Sequence, residues 1–184
     1  MVISKSEAAL ALSDIEKTTA RAGVQRGYRI MGPILVLWGV IWAIGYGAMG
    51  VLPISNWGAV WAVLDLIGIV ASIVMGRSAS SERKSAYSWR VALLALTAGA
   101  FVACTFSVLR PDSGAAYMVF PGLLTGFIYI VVGTWRMTRL AWIGVVIAAA
   151  TMVGWFFFLP YIAFWMAVVG GGGLIAGGLW LRSA

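Results

Sequence analysis

One carboxylate stands out among the residues able to do chemistry. Asp65 lies inside Trp57 to Gly76, WGAVWAVLDLIGIVASIVMG, a stretch long and apolar enough to cross a bilayer. It is the only acidic residue that this reading places within a membrane span. On a helix, Gly58, Trp61, Asp65, Gly68, Ser72 and Gly76 share one face at three- and four-residue spacings. Val60, Val63, Ile67, Val70 and Val74 occupy the opposite face, which suits lipid. The small and polar residues are therefore expected to look inward, with the bundle arranged around them.

An acid near the middle of a span costs on the order of 3 kcal/mol on insertion scales, and such acids are commonly functional. No Lys, Arg or His occupies a middle position in any span, so a cationic partner within the chain is not expected. Two readings of Asp65 follow. In the structural one a neutral acid donates a hydrogen bond to a tyrosine, a threonine or a backbone carbonyl and ties helices together. In the functional one Asp65 is a protonatable or cation-binding position flanked by Trp61, Trp42 and Tyr46, whose ring faces attract cations. Trp42 and Tyr46 belong to the preceding span and should sit at a comparable depth. Trp38/Trp42 and Trp57/Trp61 are also pairs four apart on adjacent helices, placed to stack across the first hairpin.

Other chemistries are excluded by what the chain lacks. Histidine is missing, which removes Ser-His catalysis, His-dependent zinc sites and haem ligation through His. One intramembrane carboxylate cannot form an aspartyl dyad, and there is no phosphate-binding GxxxxGK[ST] loop. The single cysteine, Cys104, excludes both a CxxC pair and an intramolecular disulfide. No enzyme activity, cofactor or metal is expected. The remaining intraspan hydroxyls, Thr97, Thr105, Thr125, Tyr129 and Thr151, read as structural, since hydroxyls can bond carbonyls of their own helix.

The elements that must position these residues follow from composition. The 184 residues are 62% hydrophobic and 10% charged, with mean hydropathy +0.97. That leaves too little polar surface to cover a water-exposed globule, so the chain reads as an all-α integral membrane protein. Six spans are expected, at about 30–52, 57–75, 89–109, 115–132, 140–159 and 161–181, built as three helical hairpins. The last two come from the apolar block Leu140 to Leu181. As one helix, its 42 residues would reach about 63 Å, twice the hydrocarbon thickness, so it must fold back at Pro160. Pro33 is placed in the first turn of the first span, and Pro121 near the start of the fourth, where it would kink the helix. Arg110 to Gly114 is a turn by composition, and 77–88 is the longest polar connection, read as a cytoplasmic loop.

Residues 1–29 form an N-terminal segment. Ser13-Asp14-Ile15-Glu16 fits a capping box, so a short basic helix is expected from about Asp14 toward Gln25. No apolar core followed by a small-residue cleavage site is present there, so no cleaved signal peptide is expected. With the N-terminus inside, the inner segments hold 12 of the 13 basic residues and the outer turns hold only Arg110. Both termini are then cytoplasmic by the positive-inside rule, in what reads as a bacterial inner membrane. The +7 charge is thus a topology signal, and no nucleic-acid partner is expected.

The descending helices repeat small residues four apart: Gly68/Ser72/Gly76, Gly122/Gly126 and Gly173/Gly177. Such ridges let backbones approach closely, so spans two, four and six are expected to pack centrally. A dimer face is the alternative for the Gly170 to Gly173 run. This glycine pattern in paired spans resembles that of six-span membrane proteins of the HdeD acid-resistance type. The resemblance carries no diagnostic motif, and no residue role is taken from it. The chain therefore reads as a non-enzymatic accessory or structural subunit of a membrane assembly, its partners being the lipid bilayer and other membrane subunits or itself. The alternative is a small transporter or channel-like protein for protons or a cationic solute, centred on Asp65.

Overall fold

The computed structural model describes residues 5–79 and 84–183, and every regular element among them is helical. Five long helices come first: α1 (Lys5–Val51), α2 (Ile54–Ala79), α3 (Lys84–Leu109), α4 (Gly114–Arg136) and α5 (Thr138–Phe157). The last span, Leu159–Arg182, opens with a 3₁₀ turn at Leu159–Tyr161 and carries a π-helical stretch, Met166–Gly171, before Gly172–Arg182. Among the described residues five helices are long and apolar enough to cross a membrane, and α3 adds a shorter apolar segment, Leu96–Leu109. These are the lengths and hydropathies of an integral membrane protein.

Three boundaries differ from the sequence reading. The first helix has no start at Asp14, because the capping box lies inside α1 and the helix already runs from Lys5. Glu7, Leu10 and four alanines between residues 8 and 20 are strong helix formers, and they carry the helix through a motif that only favours a start. Pro33 consequently sits deep inside a 47-residue helix rather than in a first turn, and the amide it lacks leaves the Arg29 carbonyl without its usual partner. The polar connection over 77–88 is largely helical: α2 continues to Ala79 and α3 begins at Lys84, leaving 80–83 outside the described residues.

The reversals follow their local chemistry. At the α3–α4 turn Arg110 takes the left-handed conformation, with φ 42°, and Ser113 caps α4 by accepting from the Ala115 amide at 3.2 Å. A single residue, Met137, separates α4 from α5, and its amide closes the end of α4 on the Gly133 carbonyl at 3.0 Å. Gly133 makes this tight return possible, since any side chain there would run into the Ala141 backbone. Pro160 stands in the break after α5, as expected.

The core lies where α1 packs along the last span and α4 packs along α5. Both pairs rest on glycine. A methyl group at Gly32 would sit 2.8 Å from the Gly178 carbonyl oxygen, and one at Gly39 would sit 2.7 Å from that of Gly171. Gly126 faces the Gly144 carbonyl in the same way, at 2.9 Å. Without side chains in between, the backbones come close enough for the dispersion contacts on which helix association in lipid depends. The expected centrality of span two is overturned. Half of the last span's apolar window is buried and 39% of α1's, against 11% for α2. Gly68 on α2 meets the rings and methyls of Trp38 and Ile41 rather than another glycine, so bulky side chains hold α1 and α2 apart.

Candidate functional site

The four residues singled out around Asp65 lie on α1 and α2. The Trp42 and Tyr46 rings meet edge to face with centroids 5.5 Å apart, and the Tyr46 and Trp61 rings do so at 5.2 Å. Gly45 admits Trp61 to the surface of α1, because a methyl group there would lie 2.8 Å from the indole edge. Tyr46, 1% exposed, donates its hydroxyl proton to the Met118 carbonyl oxygen of α4 at 2.9 Å. The Trp61 indole N–H points at the Met49 sulfur, 3.1 Å away. Three rings thus join α1 to α2, and one hydroxyl ties them to α4.

The tryptophan pairs do not stack on each other across the first hairpin. Tyr46 sits between Trp42 and Trp61, while Trp38 donates to the buried Ser72 hydroxyl at 3.1 Å. Trp57 donates to the Leu52 carbonyl at 3.0 Å and its ring lies against Gly114. Asp65 is half-buried at the edge of this cluster, within electrostatic range of the Tyr46 hydroxyl. Among the described residues its carboxyl forms neither a hydrogen bond nor an ion pair. The hydroxyl nearest to it in charge interaction is already committed to Met118.

The packing residues divide unevenly. Gly122 faces Thr151 and Met166, Gly126 faces α5, Gly177 faces Ile143, and Gly76 is buried. Gly173 departs from the expected ridge: a methyl group there would meet nothing within 4 Å. The Gly170 to Gly173 run is split, with Gly170 against the Trp42 ring, Gly171 against α1 and the other two open. The sequence reading missed Gly32 and Gly39, which carry the α1 side of the core. Their seven-residue spacing matches that of Gly171 and Gly178, and in an antiparallel pair this brings each glycine opposite another. It also missed Met118 and Met49, whose roles as acceptors no sequence pattern announces.

Thr97, Thr105 and Thr151 bond the carbonyls of Leu93, Phe101 and Ile147 on their own helices. No three His, Cys, Asp or Glu side chains come together as a metal site among the described residues. Comparison with known protein families, with characterised proteins and with solved structures finds no match to this chain.

Proposed function

We infer that the chain is a non-enzymatic, six-span inner-membrane protein acting as an accessory or structural subunit of a membrane assembly. In this reading its three hairpins place both termini and the basic N-terminal segment in the cytoplasm. The observation that carries it is the closure of the aromatic cluster. The rings of Trp42, Tyr46 and Trp61 pack on one another, and the Tyr46 hydroxyl is bonded to α4. Such a cluster joins helices, its rings spent on edge-to-face contacts with one another. The weakly buried α2, with Val63, Ile67, Val70 and Val74 exposed, is the surface from which a neighbouring subunit would be held.

One observation favours the second reading, a transporter or channel for protons or a cationic solute. Asp65 is a carboxyl within a span that forms no hydrogen bond among the described residues, and intramembrane acids of that kind commonly mark a pathway. Flux in proteoliposomes decides between them. The accessory reading expects proton and cation flux no greater than in empty vesicles, and photo-crosslinkers at Val70 and Val74 giving a discrete adduct in native membranes. Flux that disappears in Asp65→Asn overturns it.

The topology has its own test. With Cys104 changed to serine, cysteine at Ser55 or Asp112 should react with an impermeant reagent added outside intact cells, and cysteine at Thr18 should not. Labelling at Thr18 would sink the N-in arrangement.

A further inference from the structure

Where α1, α5 and the last span meet, arginines of α5 and of the last span lie against α1 at the bundle end that holds Arg182. Arg139, the second residue of α5, lays its guanidinium 5.9 Å from the Tyr28 ring centroid and 5.3 Å from that of Trp180. Its Nη1 donates to the Trp180 carbonyl oxygen at 2.9 Å, and its backbone amide donates to the Tyr28 hydroxyl oxygen at 3.3 Å. Tyr28 is buried, and its hydroxyl, having accepted that bond, keeps its own proton for a further acceptor. The stem of Arg182 lies over Gly32, one turn along α1 from Tyr28, and Arg29 is Tyr28's exposed neighbour in sequence. No carboxylate pairs with Arg29, Arg139 or Arg182 among the described residues.

Among the described residues the corner therefore offers donors and positive charge with no acid paired to them. A guanidinium carries five N–H donors in a fixed plane and accepts nothing, so one bond to Trp180 leaves most of the fork of Arg139 uncommitted. Two rings hold that plane in place, which lowers the entropy lost when a ligand is bound. Such an arrangement suits the tetrahedral oxygens of a phosphate ester. Deeper along the α5 face that Arg139 begins, Trp142 and Val146 follow at one and two turns, 60% and 59% exposed. Trp180 is itself 44% exposed.

We propose that this corner binds the phosphate of an anionic phospholipid, with the headgroup on Arg139, Arg182, Arg29 and the Tyr28 hydroxyl and an acyl chain along Trp142 and Val146. The apolar track leading from the donors is what selects a lipid over a soluble phosphate ester, which would make no use of it. The site depends on the chain lying in a bilayer and is independent of whether its role is accessory or transport.

The test uses the purified full-length protein in detergent, by native mass spectrometry and thermal unfolding, with phosphatidylglycerol, phosphatidylcholine or soluble glycerol phosphate added. Phosphatidylglycerol should remain bound under activation that strips phosphatidylcholine, and should raise the melting midpoint. Arg139→Gln should weaken phosphatidylglycerol binding about tenfold, the loss expected for one charge-assisted contact. Arg139→Lys, which keeps the charge but not the planar fork, should recover part of it. Arg110→Gln, at the opposite end of the bundle, should change nothing. Because Arg139 also holds Trp180, Arg182→Gln provides a variant with no internal hydrogen bond at stake, expected to bind more weakly at an unchanged lipid-free midpoint. Equal affinity for phosphatidylglycerol in wild type, Arg139→Gln and Arg182→Gln would overturn the proposal, as would equal retention of phosphatidylcholine. Protection by glycerol phosphate as strong as that by phosphatidylglycerol would assign the corner to soluble phosphate esters and overturn the lipid reading.

Discussion

The two contacts made by α1 are built on opposite principles. Toward the last span, glycine meets glycine: Gly32 with Gly178 and Gly39 with Gly171, backbone against backbone. Toward α2, rings and branched side chains fill the gap: Trp38 and Ile41 over Gly68, Tyr46 and Trp61 edge to face. The first contact leaves little room for adjustment, since a backbone carbonyl oxygen of the facing helix lies within 2.8 Å of each missing Cβ. The second is made of side chains that can rotate or withdraw. A helix in lipid gains nothing from hydrophobicity alone, so the closer contact should supply the rigidity and the looser one should tolerate change. α4 and α5 repeat the close form, Gly126 and Gly144 each facing the other's carbonyl oxygen.

The largest expected effect comes from the close contacts. Gly126→Leu would drive a side chain into the Gly144 carbonyl and the Ala148 backbone. It should cost about 1–3 kcal/mol as overpacking, read as a lowered melting midpoint in detergent. Gly173→Leu is the matched comparison, because a side chain there meets open space, and only a small change is expected. If the two variants unfold at the same temperature, the distinction between close and loose regions is empty.

That pairing also shows what could be read from the sequence. Gly126 and Gly173 belong to similar small-residue ridges, and spacing alone gave no reason to separate them. A ridge packs closely only when the facing helix is also small at the matching height, and that is a property of two helices in register. The helical membrane character and the fold-back at Pro160 were legible because hydropathy and span length are local quantities. The neighbourhood of Asp65, Trp42, Tyr46 and Trp61 was partly legible, since a short turn makes α1 and α2 adjacent. Tyr46 as the bridge to α4 was not, because its acceptor is a backbone carbonyl 72 residues away.

A middle-sized effect tests the bridge. Tyr46→Phe keeps the ring contacts and removes only the bond to Met118, so about 0.6 kcal/mol, and at most about 1.7, should be lost. A cost well above that range, measured by detergent unfolding, would mean that the aromatic side of α1 is as rigid as the glycine side. Ser72→Ala should cost less still, a few tenths of a kcal/mol, because the Trp38 indole it frees is only partly buried and its ring still packs on Gly68.

The smallest effect is expected at Asp65, on the loosest part of the molecule. Its carboxyl forms no hydrogen bond among the described residues, so a substitution removes no direct partner there. Asp65→Asn preserves shape and polarity and should leave the unfolding midpoint within the equivalent of about 0.5 kcal/mol of wild type. Asp65→Leu also breaks no bond, and it removes a polar group from a span, so stability should hold or rise. Both variants are read in the same detergent melt as Tyr46→Phe, which calibrates the scale against one known hydrogen bond. A loss in Asp65→Leu as large as that in Tyr46→Phe would show that the carboxyl ties α2 to its neighbours after all. α2 would then belong with the rigid half of the bundle. Unchanged stability in both, accompanied by loss of a proton or cation flux in Asp65→Asn, would instead separate function from packing at this position and favour the transport reading.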